Sequence, residues 1–366
     1  MIIRVFFWVV VLFGHVAFAV EPPGIDVPRV RQMPPYPPPD PSIYKHHSVA
    51  KLNYGGTGKD SFWLFEPDDP KPKQAPLLVF IPGWTSTNPV NLGAWFDHLV
   101  KQGNIVAYLQ YQDSALTPLA ETSDNALANF RKALAELQHG QRPDGSAHVR
   151  PDLNRFSVFG QSGGGILIAD IAALSPSAGL PQPQVIFPVT PGRTDLLWRS
   201  QRIPLYPLVD LSTLPHDALM VVVAADQDNF FGARTKDSVR LLTEATGIPP
   251  ENRYLYFMQS IPGSSWDTRQ PAGHAFAAGE DPAYDSGEPA GLNLIPGLPR
   301  LSTLLENITH QATEQRTALD NLDYEVWRLF DETRAVRFDG AQWTMPVIPF
   351  DQLDLPPGFG EDIRYP

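Results

Sequence analysis

The sequence, 366 residues long, contains no cysteine. That absence excludes disulfides, a thiolate nucleophile and any cysteine-ligated metal, so a nucleophile here must be an oxygen or a nitrogen. Basic charge is scarce as well. Forty acidic residues stand against 28 basic ones, a formal net charge of −12, which repels phosphate backbones and anionic membranes, so nucleic acid is not an expected partner. Metal-ligand spacing is missing too: His46-His47 is an adjacent pair without HExxH spacing and reads as solvated. No G-K-[ST] loop and no dinucleotide glycine pattern is present, and neither a cofactor nor a metal is expected. The chain also lacks a run of the ~20 apolar residues that a membrane span needs.

What it does have at the start is Arg4 followed by an apolar run, Val5 to Val20, that contains His15 and passes through Ala17-Phe18-Ala19. That pattern predicts a secretory signal over residues 1–19, cut before Val20, and hence a secreted or periplasmic protein without a stable membrane anchor. Residues 20–45 follow as a proline-dense, extended lead-in, with "PPYPPPDP" at Pro34 to Pro41, because each proline fixes φ and removes a backbone donor. A spacer or surface strap is preferred there over a ligand for a proline-binding module.

From residue 46 to about 340, strand-like and helix-like patterns alternate. Val49 to Tyr54 and Phe62 to Glu66 read as short strands. "APLLVFIPG", Ala75 to Gly83, is a continuous apolar run of the kind buried on both faces of a sheet. Leu92, Trp95, Phe96 and Leu99 recur at helical spacing. Asn104 to Tyr111 is a further strand, and Leu127, Phe130, Leu134 and Leu137 stripe a helix within 117–138. A polar turn, "HGQRPDGSAHVRPDLNR", precedes the strand into Ser162 and an apolar helix to Leu174. Val185 to Val189, Ala218 to Asp226 and Arg253 to Met258 supply the remaining strands. Repeated crossovers between buried strands predict an α/β fold, a mainly parallel central sheet with helices on both faces.

Residues 192–217 form a longer apolar-aromatic connection, read as packing at the sheet edge or as a small cap. The tail carries a helical stripe at Leu322, Val326, Leu329 and Phe330 and ends in a proline-rich strap over 341–366. Asn307-Ile308-Thr309 is a glycosylation sequon, with meaning only for a chain passing through an endoplasmic reticulum.

The chemistry centres on "FSVFGQSGGGILIAD", Phe156 to Asp170. A serine between a buried strand and an apolar helix, flanked by Gly160 and Gly164, has the geometry of a strained turn that exposes its hydroxyl. The helix start then offers the Gly163 amide and the positive end of the dipole to a developing oxyanion. Gly165 lies beyond those flanks and is expected to serve close helix packing.

On the G-x-S-x-G at Gly160-Gln161-Ser162-Gly163-Gly164 and the strand-helix order, the chain resembles the α/β-hydrolase superfamily, more narrowly its exported esterase-like members akin to the dienelactone hydrolase group, over about Val49 to Phe276. The resemblance implies a Ser, Asp, His triad in that chain order. Ser162 is then the nucleophile. The acid falls just past the strand ending near Asp226, where Asp228 is preferred and Asp226 is the alternative. The base falls after the last strand, at His274, with His310 as fallback, while His216 precedes the acid and breaks the order. The second oxyanion donor comes from the loop after Ile81, as the Trp84 amide. Many relatives carry a histidine where this chain has Pro82, which removes a side chain that would brace that loop. Trp84, Phe230, Phe231, Trp266 and Phe276 neighbour these positions in sequence and favour an uncharged, hydrophobic ester. The implied activity is carboxylic ester hydrolysis through an acyl-enzyme. A peptidase, an acyltransferase, or a non-catalytic binding protein on the same fold are the alternatives.

Overall fold

Continuous apolar runs become strands here because the pleat sends alternate side chains to opposite faces and both faces are covered. The structure, a computed structural model, describes residues 38–56, 58–84, 86–114, 117–192, 195–198, 201–204, 209–225, 235–259 and 321–353. Along the chain run β1 (Val49–Tyr54), β2 (Phe62–Pro67), β3 (Gln74–Ile81), α1 (Gly93–Lys101), β4 (Ile105–Leu109), α2 (Thr122–His139), β5 (Arg150–Gln161), α3 (Gly163–Leu174) and β6 (Val185–Val189). There follow β7 (Asp195–Trp198), β8 (Gln201–Pro204), β9 (Leu219–Ala225), α4 (Thr235–Glu244), β10 (Arg253–Met258), α5 (Asn321–Asp339) and β11 (Ile348–Pro349).

Nine strands form one sheet in the order β1-β2-β4-β3-β5-β6-β9-β10-β11. The six from β4 through β10 are parallel, while β1, β2 and β11 add antiparallel edges. On one face Leu78, Phe80, Phe159, Phe187 and Val223 pack with Trp95 and Phe96 of α1 and with Val326, Leu329 and Phe330 of α5. The opposite face is covered by α2, α3 and α4; Phe130 of α2, for instance, lies 5.4 Å from Phe156 of β5, ring to ring. The α/β class, the mainly parallel sheet and helices on both faces are as the sequence predicts, and this strand order is that of the α/β-hydrolase fold.

The first core face is aromatic. Phe330 stacks on Phe159 at 4.8 Å and lies 4.9 Å from Phe187, while Trp95 meets Phe159 edge-on at 5.0 Å. Such offset and edge-to-face pairs each add about 0.5–1.5 kcal/mol beyond area burial. Polar contacts pin the same layer. The buried His98 of α1 bonds Asp331 of α5 through Nε2 at 2.9 Å and stacks on Trp327, while its Nδ1 meets the Tyr44 hydroxyl at 3.2 Å.

Several expectations need correction. Arg253 to Met258 is not the last strand, because Ile348 and Pro349 pair with Leu255 and Tyr254. Within 192–217 the described residues hold a separate two-stranded antiparallel ribbon, β7 and β8, and a 3-10 turn at Leu211–Thr213. The described part of the lead-in is not wholly extended: Pro41–Ile43 makes a 3-10 turn because the Asp40 carboxylate accepts the Ser42 N–H. α4 is an addition that the periodicity did not reveal. Residues 1–37, and with them the signal sequence, lie outside the described residues, as do 354–366 of the strap.

The polar turn before β5 departs furthest from expectation. It buries Arg142 and His148 against Glu66, a β2 residue with no solvent exposure. The Glu66 carboxylate meets His148 Nδ1 at 2.5 Å and the Arg142 guanidinium at 2.9 Å, and it accepts the Val149 N–H at 2.7 Å. Arg142 also reaches Asp68 at 2.8 Å, and His148 Nε2 faces Glu136 and the Tyr54 hydroxyl, each at 3.2 Å. Burial alone would raise the Glu66 pKa, yet the donors around it hold it below the usual carboxylate value. Burial likewise opposes protonation of His148, but Glu66 and Glu136 raise its pKa above that of free imidazole. Burial pushes the Tyr54 phenol up to about 12, so it remains neutral.

Candidate functional site

Ser162 sits at the C-terminal end of β5, in the bend that leads into α3, with φ 58° and ψ −126°. A side chain is rarely held at positive φ, at a cost on the order of 1–3 kcal/mol, and residues held so concentrate where function demands the geometry. The surrounding backbone enforces it. The Ser162 amide donates to the Val189 carbonyl of β6 at 3.0 Å, and the Ser162 carbonyl accepts from Gly165 at 2.9 Å and Gly192 at 3.2 Å.

The neighbouring strand end is strained in the same way. Thr190, directly after β6, has φ 40°, a β-branched residue in left-handed space, and its amide donates to the Val223 carbonyl of β9 at 2.8 Å. Ser162 and Thr190 are the two non-glycine residues with positive φ among those described. They lie on adjacent parallel strands at the same sheet edge.

The glycines allow this close approach. A Cβ on Gly160 would stand 2.5 Å from the Gly164 carbonyl oxygen, and one on Gly164 would drive into the carbonyls of Ile81, the last residue of β3, and Pro82 after it. Gly165 is less confined: its Cβ would meet Pro191 at 3.2 Å. The packing role expected for Gly165 is therefore a contact with Pro191, and the tightest positions are Gly160 and Gly164. Gly164→Ala should lower stability by about 1–3 kcal/mol through overpacking against backbone. Gly165→Ala should cost less, since alanine's helix propensity, worth about 1 kcal/mol over glycine, offsets a milder contact. Paired urea melts check the ranking.

The loop leaving β3 reaches the serine. A Cβ built on Gly83 would lie 3.2 Å from the Ser162 Cβ and 3.1 Å from Gln161 Oε1, so the Gly83 backbone lies directly against the turn. Trp84 follows, half-buried. Gly163 is the first residue of α3, and the amides of a helix's first turn have no intrahelical acceptor. The Gly163 and Trp84 amides thus come from two elements that converge on Ser162.

That loop is braced from below. Tyr108, Gln110 and Gln112, at strand spacing on and just beyond β4, are all buried. Gln112 Nε2 donates to the Gly83 carbonyl at 3.1 Å and to the Ser86 carbonyl at 3.3 Å. Gln110 Nε2 donates to Ser86 at 3.1 Å, and the Tyr108 hydroxyl donates to Asn88 at 2.9 Å. Complete burial pushes the Tyr108 phenol well up, which keeps it a neutral donor. The bracing that Pro82 cannot provide thus comes from the end of β4 and the three residues after it.

No family model and no curated protein matches the chain. One similar solved structure is a bacterial heroin esterase. It aligns with a TM-score of 0.43 at 15% sequence identity, over 62% of this chain and 76% of that one. The fold assignment above stands on strand order and register.

Asp226, Asp228 and His274 lie outside the described residues, as do His310, Phe230, Phe231, Trp266 and Phe276. The framework that carries them does not. β9 and β10 are parallel to β6 and paired to their last residues, Ala225 with Met258, so both strands deliver the chain at the edge where Ser162 sits. His216 occupies an exposed turn before β9, at the opposite edge. Sequence reasoning missed Thr190, Gln110 and Gln112. The alternation Tyr108, Gln110, Gln112 at the end of an apolar strand was the available signal for the two glutamines.

Proposed function

We propose that this protein is a serine hydrolase of carboxylic esters. The observation that carries the reading is the Ser162 backbone: a nucleophile-type serine held at φ 58° between a buried strand and a glycine-started helix, with the Gly83 backbone against it. A structural serine has no need of that strain, whereas an exposed nucleophile does.

In the proposed reaction the Ser162 hydroxyl oxygen attacks the ester carbonyl and passes its proton to His274. Asp228 holds His274 in the required tautomer and balances its charge. The tetrahedral oxyanion lies between the Gly163 and Trp84 amides. His274 returns the proton to the departing alcohol, leaving an acyl-Ser162. Water, deprotonated by the same histidine, then releases the acid and restores the serine. Nothing in this sequence of steps calls for a cofactor. The aromatic residues that neighbour the proposed site residues in sequence favour an uncharged, hydrophobic acyl or alkoxy group. Export and the narrower kinship with the dienelactone hydrolase group belong to the same proposal, supported by the sequence pattern of residues 1–19 and the G-x-S-x-G turn.

A fluorophosphonate probe tests the reading. Incubation with the purified protein, followed by peptide mapping, should place the adduct on Ser162, and a panel of aryl esters of graded acyl length should show turnover. Labelling at another residue, or no turnover and no label at all, would sink the proposal and favour a binding protein on this fold. Added alcohols that divert the acyl group faster than water would instead mark an acyltransferase, and faster cleavage of matched anilides a peptidase.

A further inference from the structure

The Gly83 carbonyl and the Trp84 amide belong to one peptide unit. In a planar trans peptide the C=O and N–H point to opposite sides, so a bond that fixes one aims the other. Asp69-Pro70 is the cis bond among the described residues, so the Gly83–Trp84 unit is trans. Its carbonyl is held by two donors, Gln112 Nε2 at 3.1 Å and the Ser86 amide at 3.2 Å. The Ser86 amide belongs to the loop and moves with it. Gln112 lies outside that loop: it is three residues past the end of β4, is 1% exposed, and follows directly from a strand that joins Ser162 in one sheet through β3 and β5.

Gly83 is the residue of that unit whose backbone abuts the Ser162 side chain. A rotation of its peptide plane would turn the Trp84 amide away while leaving Gly83 in contact. We propose that Gln112 is a positioning residue, a clamp on the Gly83 carbonyl that fixes the direction of the Trp84 amide toward a developing oxyanion. This rests on the acyl-transfer reading of Ser162. Gln112 also donates to the Ser86 carbonyl, but Gln110 holds that carbonyl independently and Tyr108 holds that of Asn88, so the Gly83 carbonyl is where loss of Gln112 removes a contact that Gln110 and Tyr108 do not duplicate.

The test is Gln112→Met, which keeps length and volume and removes the donor. Misaiming one oxyanion donor should lower kcat about 10- to 100-fold, with KM for an aryl ester changed by less than about threefold. A trifluoromethyl ketone, which binds serine hydrolases as an oxyanion-bearing hemiketal, should lose affinity by the same factor as kcat. A purely structural role would lower the melting temperature and the active fraction without separating ketone affinity from KM. Should Gln112→Met fail to fold, Gln112→Glu preserves length and polarity, and its carboxylate accepts rather than donates; the same split is expected above neutral pH. Unchanged kcat in a folded variant, or a loss confined to KM, would overturn the proposal. A wild-type protein with neither ester turnover nor Ser162 labelling would overturn the acyl-transfer reading itself, and this inference with it.

Discussion

Ser162→Ala should abolish phosphonate labelling and lower kcat for any ester substrate by on the order of 10⁴- to 10⁶-fold, because the attacking atom is gone while the oxyanion donors remain. KM should change little, and the melting temperature should hold, since alanine occupies the same strained backbone. Ser162→Gly sharpens the interpretation. Glycine reaches φ 58° without a Cβ penalty, so this variant should be as inactive as Ser162→Ala yet more stable by about 1 kcal/mol, the relieved strain less the extra chain entropy. A melt showing gain of stability with loss of turnover would identify the strain at Ser162 as serving chemistry. Residual turnover above about 1% of wild type in either variant would remove Ser162 from the reaction.

Glu66→Ala should cost about 3 kcal/mol of stability, since it removes the buried carboxylate that Arg142 and His148 share and leaves each with one partly exposed partner, Asp68 for Arg142 and Glu136 for His148. The site lies at the sheet edge opposite Ser162, because β2 runs antiparallel to β4 and ends beside the start of β5. Whatever folded protein remains should therefore keep wild-type kcat. The contribution also depends on pH. The Glu66 pKa is lowered on folding, so its share is present above the ordinary carboxylate value of about 4.3 and is lost as pH falls through the folded value. The His148 pKa is raised, so its share is full below about 6.5 and is lost as pH rises through the folded value. The difference in melting temperature between wild type and Glu66→Gln should peak between about pH 4.3 and 6.5 and shrink on both sides. A difference that kept growing into alkaline solution would refute a charged His148.

The parts visible in the sequence are those in which one residue type carries its own signal. Ala75 to Ile81 and Val185 to Val189 are apolar at every position because both faces are covered, and the strands begin and end within a residue of that pattern. Ser162 stands out since the glycines around it are required by contacts that no other residue can make. Glu66, Arg142 and His148 were hidden for the opposite reason. Each looks like a surface residue until the chain brings positions 66 and 142 together, and nothing local to either one announces the other. Gln112 is similar: its partner is a carbonyl, which every residue has. The strain at Thr190 is set by the pairing of β6 with β9, a tertiary fact with no counterpart in the Val-Thr-Pro-Gly string.

The aromatic face described above also has an order in time. Phe159 and Phe187 emerge from the ribosome well before Phe330, which stacks on the first and meets the second at a tilt, and His98 waits still longer in sequence for Asp331. Synthesis proceeds at about 5–20 residues per second. The central strands can therefore be complete for several seconds with one flank covered only by α1 and still waiting for α5. During that interval the nascent chain exposes the surface most prone to self-association, and a factor that shields apolar segments should raise the yield of folded protein more than any change at the serine edge.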